Sequence, residues 1–477
     1  MTAATDTHVP DFRSLTVEDL VGMVRGRVLT AVAVTEHALQ RIGELNPTVN
    51  AFVAVDGEAA VVQAAAIDEQ LDKGEDVGLL AGVPIGVKDL SDAAGFATTR
   101  GAVRHRNAGP AVGDSIEVAR LKAAGCVVLG KTNTPEYGCM ADTYNPLFGA
   151  TLNPWNLQRS PGGSSGGTAA AIASGMIPMG TGSDGGGSIR IPSAVCGLSG
   201  IKTSQGRVPS GPPPSGLIDL SCSGPMARLI RDVALCLDSV VGPHPADVRS
   251  LPAPRGSWRR ALDSPRVPAR LLWMPSINGE SVDSEIVDVC TAAVESLAYI
   301  GVEVVESNTP FNIEMEAFMQ MFYGGLIAPL YLSLRGTDDW AGVTDRLAEM
   351  IDKTIDTVSV SSLFEARRCA GRLSIRLAEV MAGFDVLLAP TVVGQTPISG
   401  EHGTINGEPA EDWVRLTPLA NLTRRPAGSV CCGFTSDGMP VGLQVIGHQL
   451  DDLTILETIA VIEDLLALDT VAPFAFA

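Results

Sequence analysis

The chain has 477 residues, 45% of them apolar, and 34 Lys and Arg against 54 Asp and Glu, a net charge of −20. That length suits one large domain or two to three ordinary ones. So acidic a surface repels phosphate backbones and anionic headgroups, which argues against a nucleic-acid partner and against docking on a lipid surface.

From Met1 to Phe12 no basic stretch precedes an apolar run, so no signal peptide is expected. No run of about 18 apolar residues is present to cross a bilayer, and the expected location is the cytoplasm. Thr16 and Asp19 have the spacing of a capping box ahead of a helix over 17–24. A second helix is predicted from near Thr30 to Leu45, with Ala33, Ala38, Leu39 and Ile42 near helical spacing, and a third over about 57–71. From Gly78 the texture changes. β-rich runs at 83–87, 126–129, 177–180, 387–389 and 441–446 alternate with small-residue helices at 115–124 and 167–174. That alternation predicts a layered α/β fold with a mostly parallel sheet. Residues 211–256 read as loops, above all Gly211-Pro212-Pro213-Pro214 and 243–254. A helix over 284–300 and a strand over 302–305 follow. Residues 311–383 read as helical and carry Phe311, Met315, Phe318, Met319, Met321, Phe322 and Tyr323. Ordinary core packing accounts for such a cluster first, and an adaptable apolar pocket wall second.

The nine cysteines lack paired spacing and sit among apolar neighbours, as reduced, buried thiols do. Cys431-Cys432 reads as two strand residues facing opposite sides. No Cys/His cluster has zinc spacing, so no metal is expected.

Chemistry concentrates in two blocks: Ser160-Pro161-Gly162-Gly163-Ser164-Ser165-Gly166-Gly167 and Gly182-Ser183-Asp184-Gly185-Gly186-Gly187-Ser188-Ile189-Arg190. Glycine permits positive φ and close approach of the backbone to a ligand, and successive N–H groups in such turns form an anion nest. The anion is either a phosphate or the oxyanion of an acyl-transfer intermediate. A phosphate loop requires Gly-Lys-Ser/Thr at a helix start, which neither block has, and no dinucleotide pattern is in register. The oxyanion reading has a serine at the end of the nest, where a nucleophile belongs. Its base is not one of the six histidines by any sequence signal, since none lies in or beside the blocks. Lys88, ending the apolar run Val83-Pro84-Ile85-Gly86-Val87, is the alternative, because a buried lysine loses its charge readily. On position alone it reads more readily as a surface side chain at a strand exit.

Gly86-Val87-Lys88-Asp89, residues 162–167 and residues 182–190, with Ser164 and Ser188 24 positions apart, resemble the amidase signature family. Further matches are Gly130-Lys131-Thr132-Asn133-Thr134-Pro135-Glu136, Asn153-Pro154-Trp155-Asn156, Gly206-Arg207-Val208-Pro209, Asn421-Leu422-Thr423 and Gly438-Met439-Pro440-Val441-Gly442-Leu443-Gln444. They run from about residue 10 to 460 and are weakest over 245–385. The resemblance implies a single domain over 1–477, an α/β/α sandwich around a large, mostly parallel mixed sheet. Its core motifs would lie within 78–210 and a variable helical substrate side at about 245–385. It also implies roles. Ser188 matches the nucleophile, Ser164 the bridging serine held in a cis peptide, and Lys88 the general base. Gly185, Gly186 and Gly187 match the oxyanion donors, Ser165 a supporting hydroxyl, and Asp184 and Arg190 braces of the loops. Cys139 and Met140 fall on the loop that runs along the substrate. The pattern is departed from at Lys202-Thr203-Ser204, Arg424-Arg425 and Cys431, where substrate-facing loops differ but the relay is untouched.

The reaction so implied needs no cofactor or metal. Its substrate is a small amide or carbamate, and Tyr137, Met140, Tyr144 and the 315–323 segment favour an apolar or aryl group. Urethanase activity is within reach of the same nest. The alternatives are the glutaminase subunit of a tRNA-dependent amidotransferase, a nucleotide-binding module, and a binding protein that has lost its chemistry. A homodimer is common among enzymes of this kind.

Overall fold

The computed structural model describes residues 8–211, 220–277, 279–308, 310–311, 315–328, 332–398 and 401–476. Pro212, Pro213 and Pro214, and the first seven residues, lie outside these.

Chain order begins with helices. Thr16 and Asp19 form the capping box, and Val17–Arg25 is helical. Thr30 caps Ala31–Val49, which continues past Leu45 through Pro47, and Asp56 caps Gly57–Asp72. The strands are β1 (Phe52–Val55), β2 (Pro84–Lys88), β3 (Val127–Thr132), β4 (Tyr144–Asn145), β5 (Gly149–Ala150), β6 (Met179–Asp184), β7 (Ser199–Lys202) and β8 (Cys222–Ala227). They continue with β9 (Arg270–Trp273), β10 (Glu303–Glu306), β11 (Val386–Pro390), β12 (Gly403–Ile405), β13 (Glu408–Ala410), β14 (Ala427–Phe434) and β15 (Pro440–Ile446). Eleven of them form one sheet in the order β1-β3-β2-β6-β8-β7-β14-β15-β11-β9-β10.

The fold is α/β, as expected, but the sheet is mixed rather than mostly parallel. Parallel ladders join β2 to β3 and β6, and β9 to β10 and β11. The middle, from β6 through β8, β7, β14 and β15 to β11, is antiparallel. Residues 435–439 between β14 and β15 are too few for the crossover that a parallel pair needs. Helices cover both faces. Gly428 in β14 faces Ile455 and Ile459 of the helix Asp452–Leu466. Gly442, paired with Cys431 three residues further along β14, faces Ala194 of the helix Arg190–Val195. Residues three apart on a strand point to opposite sides.

The loops expected over 211–256 are interrupted by β8 and by the helix Ile230–Val240. Val233, Ala234 and Leu237 recur there at helical spacing and are fully buried, a stripe that the flanking Pro and Gly hide in composition. Cys431 and Cys432 do lie in a strand, at a bulge of β14, and all nine cysteines are buried. Among the described residues no helix is long and apolar enough to cross a membrane. Buried side chains form two clusters. One surrounds the sheet and the N-terminal helices. The second lies beneath Met315–Met319, Asp345–Ile355 and Val360–Val380 and includes Tyr137, Cys139, Phe318, Phe322 and Tyr323.

Candidate active site

Three lysines are fully buried: Lys88, Lys131 and Lys202. Lys131 is paired with Asp89 at 3.2 Å and donates to the Ser91 carbonyl. Lys202 donates to its neighbour, the Thr203 carbonyl. Lys88 is held differently. It ends β2, every residue of which is buried, with its backbone N–H bound to Thr181 Oγ1. Its Nζ lies 2.8 Å from Ser164 Oγ, 2.8 Å from Ser165 Oγ and 3.0 Å from Ser183 Oγ. Burial pushes its pKa down to about 7, against the pull of the Asp184 and Glu117 carboxylates. A lysine so placed carries a large neutral fraction at ordinary pH and can accept a proton from a serine. The reading of Lys88 as a surface lysine at a strand exit is thus overturned: only 1% of it is exposed.

The two glycine–serine blocks close on this amine from either side. The Gly163–Ser164 peptide is cis. Ser164 is buried, and the Ser165 N–H donates to the Ser188 carbonyl at 3.2 Å, tying the first block to the second. Ser188 itself is half-buried at the turn between β6 and the helix Arg190–Val195.

Asp184 shapes that turn. Its Oδ1 accepts from Gly187 N–H at 2.7 Å and from Arg190 Nη2 and Asn421 Nδ2, while Oδ2 accepts from Arg190 Nε and Ile189 N–H. Burial opposes ionisation of this carboxyl, but the Arg190 guanidinium and Asn421 hold it well below the usual carboxylate range. Arg190 is fully buried and also donates to the Thr417 carbonyl and to Gln444 Oε1. The brace expected of Asp184 and Arg190 is therefore a closed network reaching Thr417, Asn421 and Gln444. Of the three glycines expected to face an oxyanion, Gly187 already donates its N–H to Asp184 within the turn.

The aromatic segment meets this turn directly. Phe318 and Phe322 stack with ring centroids 5.3 Å apart. A Cβ built on Gly185 would lie 2.8 Å from the Phe322 ring, and one on Gly186 would lie 2.6 Å from Phe318. The rings thus rest against the glycine Cα atoms, and a larger residue at either position requires the ring to shift. Tyr323 donates its hydroxyl to the Cys139 carbonyl at 2.7 Å. The loop carrying Cys139 and Met140 runs beside the relay: a Cβ on Gly138 would sit 3.2 Å from Ser164 Oγ, and one on Gly163 would sit 2.8 Å from the Met140 carbonyl. Cys139 is buried and Met140 half-buried. Tyr144, in the β4–β5 hairpin, is 45% exposed and packs in neither cluster. Sequence reasoning missed Thr417 and Gln444 as braces. It also missed Thr344 and Arg346, which hold Glu136 and Asp142 of the same loop. Gln444 ends the C-terminal match over 438–444, but nothing there marks it as a brace, and none of the matched motifs contains Thr417, Thr344 or Arg346.

Residues 33–456 match the model of the family described as Amidase. The chain is 34% identical over 456 residues to an acylamidase of Rhodococcus erythropolis, covering 94% of both proteins. It is 31% identical over 463 residues to a glutamyl-tRNA(Gln) amidotransferase subunit of Acaryochloris marina, covering 90% of this chain and 93% of that protein. Its structure is similar to that of a bacterial aryl acylamidase of the amidase signature enzymes, with a TM-score of 0.89 and 29% identity over 97% of this chain and 98% of the other.

Proposed function

Since this chain belongs to the Amidase family and is a hydrolase of amides, we propose that it works through an acyl-enzyme on Ser188, with Ser164 as proton shuttle and Lys88 as base. The observation that carries this reading is the hydrogen bond from a fully buried lysine to Ser164 Oγ at 2.8 Å, on the block that Ser165 ties to Ser188.

Neutral Lys88 takes the proton of Ser164 as Ser164 takes that of Ser188. The Ser188 oxygen adds to the carbonyl carbon, and the oxyanion is met by the N–H groups of Gly185, Gly186 and Ser188. Losing one such donor costs about 3 kcal/mol of transition-state stabilisation. As the tetrahedral intermediate collapses, the proton returns along the same path to the departing nitrogen, which leaves as an amine. Water then adds to the acyl carbon as it gives a proton to the relay, the bond to Ser188 Oγ breaks, and the relay returns that proton to Ser188 as the acid leaves. The site residues use no group beyond those of this chain in these steps.

An apolar or aryl acyl group fits the site best. Phe318 and Phe322 lie against the oxyanion turn, and Tyr323 backs the Cys139–Met140 loop. The acylamidase and aryl acylamidase relatives support the same choice. A carbamate presents the same carbonyl to the same turn, so urethanase activity follows as a secondary activity. The second reading, a glutaminase subunit of an amidotransferase, draws on the 31% identical amidotransferase relative. We favour a free cytoplasmic enzyme, a homodimer of chains each built as one catalytic unit.

A panel of benzoyl and phenylacetyl anilides, aryl carbamates, aliphatic amides and glutamine separates the readings. The aryl substrates should exceed glutamine in kcat/KM by about a hundredfold, the scale on which one buried ring discriminates. Glutamine as best substrate would establish the second reading instead.

A further inference from the structure

A threonine at the start of a helix ordinarily turns its oxygen back to accept one of the first N–H groups of that helix. Thr417 does not. It precedes the helix Pro418–Leu422, is fully buried and makes no such cap. Its hydroxyl is turned instead onto the glycine turn before Ser188, where it donates to the Gly186 carbonyl, 231 positions back in the chain, at 2.5 Å. The Val414 carbonyl lies 3.0 Å from the same oxygen, but it already accepts the Thr417 N–H. A hydroxyl has one proton to give, and the shorter contact, to Gly186, takes it.

The Gly186 carbonyl and the Gly187 N–H are the two polar ends of one planar peptide. Asp184 Oδ1 holds the N–H end at 2.7 Å, and Thr417 holds the carbonyl end. A peptide gripped at both ends cannot swing about its axis, and the amides of Gly186 and Ser188 on either side are aimed through it. Three successive glycines without such a grip would be the freest stretch of backbone at the site. Gly187 has a φ of 132°, in the region left to glycine, and a Cβ there would lie 2.7 Å from Thr417 Cβ, so the threonine is fitted against the turn. Thr417 is itself held, because its carbonyl accepts from Arg190 Nη1 at 2.8 Å.

We propose that Thr417 is a positioning residue for the reaction, its hydroxyl holding the Gly186–Gly187 peptide so that the neighbouring amides point at the carbonyl oxygen under attack. The proposal rests on the reading that this turn cradles the oxyanion of an acyl-enzyme on Ser188.

The test is the steady-state turnover of an aryl anilide, and its inhibition by an aryl trifluoromethyl ketone, in wild type, Thr417→Val, Thr417→Ser and Ser188→Ala. Valine keeps the shape of threonine without its hydroxyl, and serine keeps the hydroxyl. Thr417→Val should lower kcat about tenfold or more with KM within about twofold, as loss of an interaction made in the transition state does. The ketone, whose adduct with Ser188 carries the same oxyanion, should lose affinity by the same factor. Thr417→Ser should recover most of both losses. An unchanged kcat in Thr417→Val, a lowered kcat with the ketone still bound as in wild type, or a Thr417→Ser enzyme no better than Thr417→Val overturns the proposal. If Thr417→Val does not fold, Thr417→Ala is read by the same criteria, and if neither folds the hydroxyl anchors the fold and the proposal falls. Ser188→Ala separates the two failures. If it turns over like wild type, the acyl-enzyme reading is wrong. If it is inactive while Thr417→Val keeps the wild-type kcat, only the role of Thr417 falls.

Discussion

Around Lys88 the groups are fixed by charge and by directed hydrogen bonds. Asp184 gathers them from Gly187, Ile189, Arg190 and Asn421, and Arg190 spans four partners without touching solvent. The helical cover above it is fixed otherwise. Residues 315–328 and 332–355 lie on the site through ring stacking at Phe318 and Phe322. A few polar ties hold them at the edge: Tyr323 to Cys139, Thr344 to Glu136, and Arg346 to Asp142. A buried ion pair tolerates little change, because removing one partner leaves a charge in low dielectric. Apolar contacts tolerate changes of volume. On the proposed mechanism, the chemistry is set in the rigid turn and substrate choice in the part that can be repacked.

Substitutions in the two regions should separate accordingly. Lys88→Ala should lower kcat/KM by about 10³-fold, within the range of a lost general base, and partly recover at alkaline pH. On the proposed mechanism the neutral amine is the active form, so the wild-type rate should rise as pH increases through about 7 and then level off. Lys88→Arg should not rescue, since guanidinium stays charged. Arg190→Met should cost about 3–5 kcal/mol of stability by stranding Asp184, seen as a fall in the denaturation midpoint. A stable Arg190→Met enzyme would show that the network is dispensable and would erase the contrast.

In the cover, Phe322→Leu should fold. It should change the ratio of kcat/KM between a benzoyl anilide and acetanilide by about tenfold, because the lost ring area weakens aryl binding by about a kcal/mol or more. If all substrates slow equally, the ring is core packing and the cover does not select. The smallest effect belongs to Tyr323→Phe, which removes one hydrogen bond worth about 1 kcal/mol and should raise KM for aryl substrates a few-fold with kcat kept.

This contrast also explains what could be read from the sequence. The meeting of Lys88 with the glycine–serine blocks was legible because it depends on residue identity at fixed spacing: Lys88 at a strand end and two serines in glycine turns. The helices at Thr16 and Thr30 were legible from their caps, and β2, β3 and β15 from their apolar runs. Two strands in the middle of the sheet, β7 and β8, were not. β7 and β8 are short and contain Gly, Ser and Pro, so they lack the apolar signal of a strand. Nor could the partners of Asp184 and Arg190 be found, because Thr417, Asn421 and Gln444 are more than 200 positions away and only tertiary packing brings them in. The aromatic segment was visible as composition, but its seat on Gly185 and Gly186 is a matter of shape.

Activation of Ser188 by a neutral Lys88 is the central proposed step, and the rate of covalent labelling by a fluorophosphonate probe, read by mass spectrometry across pH, measures it directly. A single adduct on Ser188 is expected. Its rate should rise with pH through about 7 in wild type, and in Lys88→Ala it should be slow and flat over the same range. An adduct on another residue, or the same pH limb in Lys88→Ala, would contradict it.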